Sequence, residues 1–176
     1  KRVTQEAVKW LQNHPQSRTD NTDKTDKPWV LSVSMISPHY PLMAPPEFYE
    51  LYDGIDMPTA IQSSIDHPVL KQVRKFWNYD DYFDDDSRKK AMQGYFGLCS
   101  FLDHNIAQVL KALEESGQAD NTIVLYISDH GEMLGDHGFW TKSVMYEPSV
   151  GVPIIIAGAG IPTGSNATPV SLIDVA

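Results

Sequence analysis

The chain has a single cysteine, Cys99, so no internal disulfide framework can hold it together. No apolar run approaches the length of a transmembrane helix, which excludes a helical membrane span. Residues Lys1 to His14 lack the apolar centre of a signal peptide. Positive charge is scarce: 14 basic against 23 acidic residues give a formal net charge of −9. That balance disfavours nucleic acid as a partner. Internal repeats and low-complexity tracts are also missing. What is present is 176 residues, one domain's worth of chain and enough for a core.

Hydrophobic periodicity gives a coarse order of elements. Val3, Ala7, Val8 and Leu11 recur at helical spacing with Trp10 beside them, which predicts an amphipathic helix over 3–13. His14-Pro15 ends it, and the polar stretch 16–27 reads as a solvated loop. Residues 29–36 are rich in Val, Leu and Ile and predict a strand. Pro41 to Pro58 carries four prolines, an irregular but ordered connection. Val69 to Trp77 predicts a short helix. The acidic, aromatic segment 79–86 reads as a solvated loop leading into a helix capped by Asp86. It lacks the spacing and glycine of an EF-hand. Ala91, Met92, Tyr95, Phe96, Cys99, Leu102, Ile106, Val109, Leu110 and Leu113 then mark one long buried face, with Gly117 as terminator. Cys99 on that face reads as a small buried apolar residue. Two further strands are expected at 122–128 and 152–157, and the start of a helix at 171–176.

Chemistry concentrates after the first of those strands. Seven uncharged residues, Thr122 to Ser128, read as a buried strand of a parallel sheet and end in Asp129-His130-Gly131-Glu132. The polar burst falls at the strand's carboxyl end, where open α/β sheets place their ligand sites. Asp129 and His130 are candidate metal ligands. A carboxylate suits a hard cation, whereas imidazole favours Mn²⁺ or Zn²⁺. An Asp-His pair on a turn is also an ordinary surface feature. Lys142, a compact cation, suits an anionic group of a substrate, although lysines are ordinarily solvated. His39 follows the predicted strand 29–36 and can reach the same sheet edge, as a proton donor or as a structural hydrogen-bonding group. Glu132 and Glu147 read as supports. Asp103 and His104 are neighbours on a helix and do not share a face.

Ser128-Asp129-His130-Gly131-Glu132-Met133-Leu134-Gly135-Asp136-His137-Gly138, followed by Thr141-Lys142, closely resembles the sulfatase family of the alkaline phosphatase superfamily. Met145-Tyr146-Glu147-Pro148-Ser149, Val152-Pro153-Ile154-Ile155-Ile156 and Gly158 to Gly164 match in order. Upstream, Ser37-Pro38-His39-Tyr40-Pro41 is similar to the family's Pro-His-x-Pro segment. Met145-Tyr146-Glu147 and the proline-rich 41–49 resemble choline-sulfatase-like and related bacterial sulfatases. Gly151 stands where many relatives carry Arg.

The resemblance implies an α/β, alkaline-phosphatase-like layered fold, a largely parallel sheet flanked by helices. Residues 1–176 would be the later portion of a single catalytic domain, without the amino-terminal part that bears the nucleophile or the carboxy-terminal subdomain. The implied reaction is metal-dependent hydrolysis of a small-molecule or carbohydrate sulfate ester. Asp129 and His130 would help hold a divalent metal, Ca²⁺ by resemblance. His39 and Lys142 would bind the sulfate group and assist the leaving oxygen, while His137 and Asp136 would touch substrate, shape the pocket or support it from behind. The family's nucleophile is a hydrated formylglycine, made from Cys or Ser in a Cys/Ser-x-Pro-Ser/Ala-Arg motif. Cys99 is followed by Ser100-Phe101-Leu102-Asp103 and cannot be that residue, so the nucleophile is expected from outside this chain. Hydrolysis of a phosphonate or phosphate ester on the same scaffold is the nearest alternative. A non-catalytic, sulfatase-like binding protein is the other.

Overall fold

The computed structural model describes residues 1–14 and 28–175, so the polar stretch 16–27 lies outside the described residues. The elements are α1 (Arg2–Asn13), α2 (Pro46–Tyr49), α3 (Pro68–Trp77), α4 (Asp85–Glu115), β1 (Ile123–Ile127), α5 (Glu147–Val150) and β2 (Ile154–Gly158), joined by short 3₁₀ turns. The expected helices at 3–13 and 69–77 are α1 and α3. The expected helix start at 171–176 is a 3₁₀ turn, Leu172–Val175.

The spine is α4. Its buried face carries Met92, Leu98, Ala112 and Leu113. Asp84, not Asp86, caps it, accepting a 2.8 Å hydrogen bond from the Ser87 backbone N–H. Asp86 already lies in the first helical turn, where its carboxylate favours the helix dipole instead. The helix stops at Ser116, and Gly117 follows at φ +74°, a left-handed conformation that glycine adopts without penalty. Helix α1 packs across α4: Thr4 donates to Asn105 at 2.8 Å in a buried contact, and Leu11 meets Ala112 and Leu113. Trp10, Trp29, Leu31 and Val124 close around this cluster. The proline-rich segment lies directly on α4. A Cβ on Gly94 would sit 2.1 Å from the Leu42 carbonyl oxygen, so only glycine allows that approach.

Two strand expectations are corrected. Residues 29–36 are extended with alternating exposure but join no ladder among the described residues. Apolar alternation selects an extended chain, and a strand further requires a neighbour at hydrogen-bonding distance. β1 pairs with β2, and the pair is antiparallel, with Ile123 opposite Gly158 and Ile127 opposite Ile154. An uncharged run does not specify strand direction. The chain between β1 and β2 contains only a 3₁₀ turn at Asp136–Gly138 and the one-turn α5, neither long enough for a crossover helix, and β2 returns alongside β1. Val124 faces α1 and α4, which gives the helix-on-strand layering of an α/β domain. Ile123, Leu125 and Ile127 on the other face of β1 remain exposed, not buried as the sequence suggested.

The Ser87 hydrogen bonds hold the Asp84 carboxyl below the ordinary carboxylate range. Its stabilising contribution is therefore present above the ordinary value and is lost as pH falls through the depressed one. Asp84→Ala should lower the thermal midpoint at neutral pH. The gap to wild type, followed by circular dichroism, should close in acid.

Candidate active site

The loop after β1 is built to return on itself. Gly131 donates its N–H to the Ser149 carbonyl at 2.8 Å, and a Cβ there would lie 2.0 Å from the Pro148 oxygen. Met133 bonds back to the Thr141 carbonyl at 2.8 Å. The Glu132 carboxylate accepts from the Leu134 and Thr141 backbone N–H groups, satisfying two donors with one charge. Met133, Phe139 and Val144 bury themselves against Ile65, Leu70 and Val73. Leu134, His137, Thr141 and Ser143 all have positive φ, so the loop turns repeatedly within a short span. The result presents Lys142 toward the carboxyl end of β1.

Asp129, His130, Lys142 and His39 line one cleft of about 850 Å³. Lys142 Nζ is 2.7 Å from His39 Nε2. His39 Nδ1 is 2.9 Å from the Tyr40 carbonyl. A carbonyl can only accept, so Nδ1 carries the hydrogen and a neutral ring offers its Nε2 lone pair to the lysine ammonium. His130 is fixed in the same tautomer, its Nδ1 donating to the Gly131 carbonyl at 2.8 Å. Its Nε2 lies 3.8 Å from Asp129 Oδ2 and, in the neutral ring, carries the lone pair. The Asp129 side chain is 87% exposed and anchored through Oδ1 by the His130 N–H at 3.0 Å. The two histidine rings stand 6.2 Å apart. Carboxylate oxygen and unprotonated imidazole nitrogen on adjacent residues fit two positions in the coordination shell of a divalent ion. Among the described residues no third His, Cys, Asp or Glu joins them at ligand distance.

His137 is the site residue that the fold does not bring to this cleft. At φ +56° its ring turns away, stacks on Tyr146 at 4.2 Å and bonds Ser63 through Nδ1 at 2.8 Å. Asp136 is likewise engaged elsewhere, accepting from the Ile61 N–H. Tyr40 was missed by the sequence reading. Its ring stacks on His39 at 4.6 Å and lies 5.9 Å from Lys142 Nζ, and its place beside a candidate histidine was the available signal. Tyr95 and Cys99, one turn apart on α4, also line the cleft, so Cys99 is half-buried and not a core residue. Burial pushes both pKa values up, and the neighbouring Glu132 raises that of Tyr95 further. Both stay protonated at neutral pH.

The chain is a layered α/β fold with an Asp-His pair at a strand end and a lysine-histidine pair facing it. The sulfatase family model matches residues 1–176, and the chain belongs to that family. It is 33% identical over 161 residues to a choline-sulfatase of Rhizobium meliloti (strain 1021), covering 89% of this chain and 31% of that protein. It is 35% identical over 136 residues to an arylsulfatase of Clostridium perfringens, covering 76% of this chain and 28% of the relative. The crystal structure of a phosphonate monoester hydrolase of Agrobacterium radiobacter shares the fold with a TM-score of 0.73 at 23% identity. That match covers 87% of this chain and 31% of the other. The chain thus spans about a third of the length of the curated relatives it matches. No helix among the described residues is long and apolar enough to cross a membrane.

Removing the Glu132 carboxylate strands two backbone donors. Glu132→Ala should destabilise the protein by about 1–3 kcal/mol in denaturant titration. Glu132→Gln, which keeps an acceptor oxygen, should lose less.

Proposed function

We propose that this chain supplies part of the cleft of a longer sulfuric ester hydrolase. The observation that carries the reading is the 2.7 Å approach of Lys142 to His39 in a cleft rimmed by Asp129 and His130. Lys142 is the only lysine or arginine lining that cleft among the described residues. One fixed cation matches the single negative charge of a sulfate monoester. The exposed isoleucines and leucine on β1 support a domain that continues over that face, with residues 1–176 as its later portion.

Lys142 binds the non-bridging oxygens of the ester and offsets charge that gathers there as the S–O bond stretches. His39 holds the lysine in place by accepting its hydrogen bond. The pair shares one transferable proton across that bond, within reach of the departing alkoxide. The Tyr40 carbonyl keeps the His39 ring oriented by holding Nδ1–H. Asp129 and His130 would hold a divalent ion, Ca²⁺ by family likeness with Mn²⁺ or Zn²⁺ the choice of the imidazole. When bound, such an ion withdraws electrons from the ester and orients a nucleophile, expected to be a formylglycine outside this chain. His137 serves the loop through its Tyr146 and Ser63 contacts.

Because a tetrahedral monoanion is what the cleft recognises, phosphonate monoesters and phosphodiesters are the second reading. In the complete enzyme, 4-nitrophenyl sulfate should be hydrolysed faster than 4-nitrophenyl phosphate, a dianion. A strong phosphate preference would overturn the sulfatase reading. Asp129→Ala should lower bound metal and activity together. Lys142→Ala should keep its metal, measured by elemental analysis, while kcat/KM falls roughly 10²-fold or more. Normal turnover in that variant would remove Lys142 from the mechanism.

A further inference from the structure

The tip of the site loop is a turn, Gly135 to Gly138, whose polar side chains the cleft does not use. The two legs of the turn are paired. Met133 N–H donates to the Thr141 carbonyl at 2.8 Å, and Gly135 N–H donates to the Phe139 carbonyl at 2.8 Å. Thr141 directly precedes Lys142, so a tilt of the tip is carried along one leg to the lysine. The connecting segment 58–65 holds the tip from outside. Ile61 N–H donates to Asp136 Oδ1 at 2.8 Å, and the Ile61 carbonyl accepts from His137 N–H at 2.6 Å. Ser63 Oγ lies 2.8 Å from His137 Nδ1. The segment is itself fixed at both ends. Arg88 of α4 donates to the Pro58 carbonyl at 2.6 Å, and Ile65 packs against the Met133, Phe139 and Val144 cluster.

We infer that Asp136 is a positioning residue: by bonding the Ile61 N–H it clamps the loop tip to segment 58–65 and so sets Lys142 at its 2.7 Å distance from His39. This rests on the sulfatase reading, because turnover is what the placement of Lys142 serves. Ile61 is gripped through both its N–H and its carbonyl, which fixes the register of the segment against the tip. Of those two bonds, only the one to Asp136 depends on a side chain. Ile61 is 56% exposed, so water can replace the carboxylate as acceptor and the fold loses little when Asp136 is truncated. Position is lost instead. A displacement of about 1 Å relayed from outside the site can cost on the order of a hundredfold in rate. A carboxamide oxygen accepts the same bond, so the clamp needs the acceptor and not the charge.

The test uses the complete enzyme with 4-nitrophenyl sulfate. Asp136→Ala should keep its bound metal and a thermal midpoint close to wild type, while kcat/KM falls roughly ten- to a hundredfold. Asp136→Asn should recover most of that loss. In a Lys142→Ala background the Asp136→Ala change should cost nothing further, because the group it positions is gone. Trace acetylation followed by mass spectrometry gives a readout that needs no turnover, with the exposed Lys9 as internal reference. Labelling of Lys142 relative to Lys9 should rise several-fold in Asp136→Ala and stay at the wild-type level in Asp136→Asn. Normal turnover in Asp136→Ala, or a full further loss in the Lys142→Ala background, would overturn the inference. So would an Asn variant as damaged as the Ala one, which would mean that the carboxylate charge itself acts on metal or substrate. If no sulfate ester is turned over, labelling decides alone. A rise confined to Asp136→Ala keeps the clamp while the sulfatase reading falls, and equal labelling in all three proteins sinks the clamp.

Discussion

The hydrogen bond from Lys142 to His39 joins residues 103 positions apart, and the cleft depends on it. Each partner alone is an ordinary side chain: a lysine on a loop and a histidine after an extended segment. Together they form a hydrogen bond donated by the ammonium, with the histidine tautomer set by the Tyr40 carbonyl. The direction of the bond follows from that tautomer, since a neutral ring with Nδ1–H can only accept at Nε2. The same tautomer holds in His130, whose Nδ1 donates to the Gly131 carbonyl.

Bringing the two ends together is the work of the loop between β1 and α5. Its polypeptide crosses into positive φ at non-glycine residues on both sides of Lys142, a conformation that costs energy and needs compensation. The Glu132 carboxylate and the burial of Met133, Phe139 and Val144 provide it. Gly131 lets the loop pass against Pro148 where no side chain would fit. On the opposite wall, Gly94 admits the Leu42 backbone onto α4, which fixes the proline-rich segment and with it Tyr40 and His39. Two close backbone approaches thus hold the two halves of the cleft.

Much of this was legible in the amino-acid order, for physical reasons that can be named. α1, α3 and α4 were legible because helical periodicity is carried by many residues. The convergence of Asp129, His130, Lys142 and His39 on one cleft was legible because polar residues follow extended segments and the motif fixes their spacing. The failures have equally specific causes. The Asp84 cap was placed two residues late because three consecutive aspartates offer the same chemistry. Strand direction at β1 and the missing ladder at 29–36 depend on partners that an apolar run does not encode. His137 contacts Tyr146 and Ser63, partners that its place in the motif does not encode.

Whether Lys142 and His39 act as one proton-sharing unit is tested most directly by a double-mutant cycle on kcat/KM in the complete enzyme, using Lys142→Ala, His39→Ala and the double variant. A shared proton predicts strong non-additivity, the double variant being little worse than the more damaged single one. Losses that multiply would mean two independent contributions and would contradict the account.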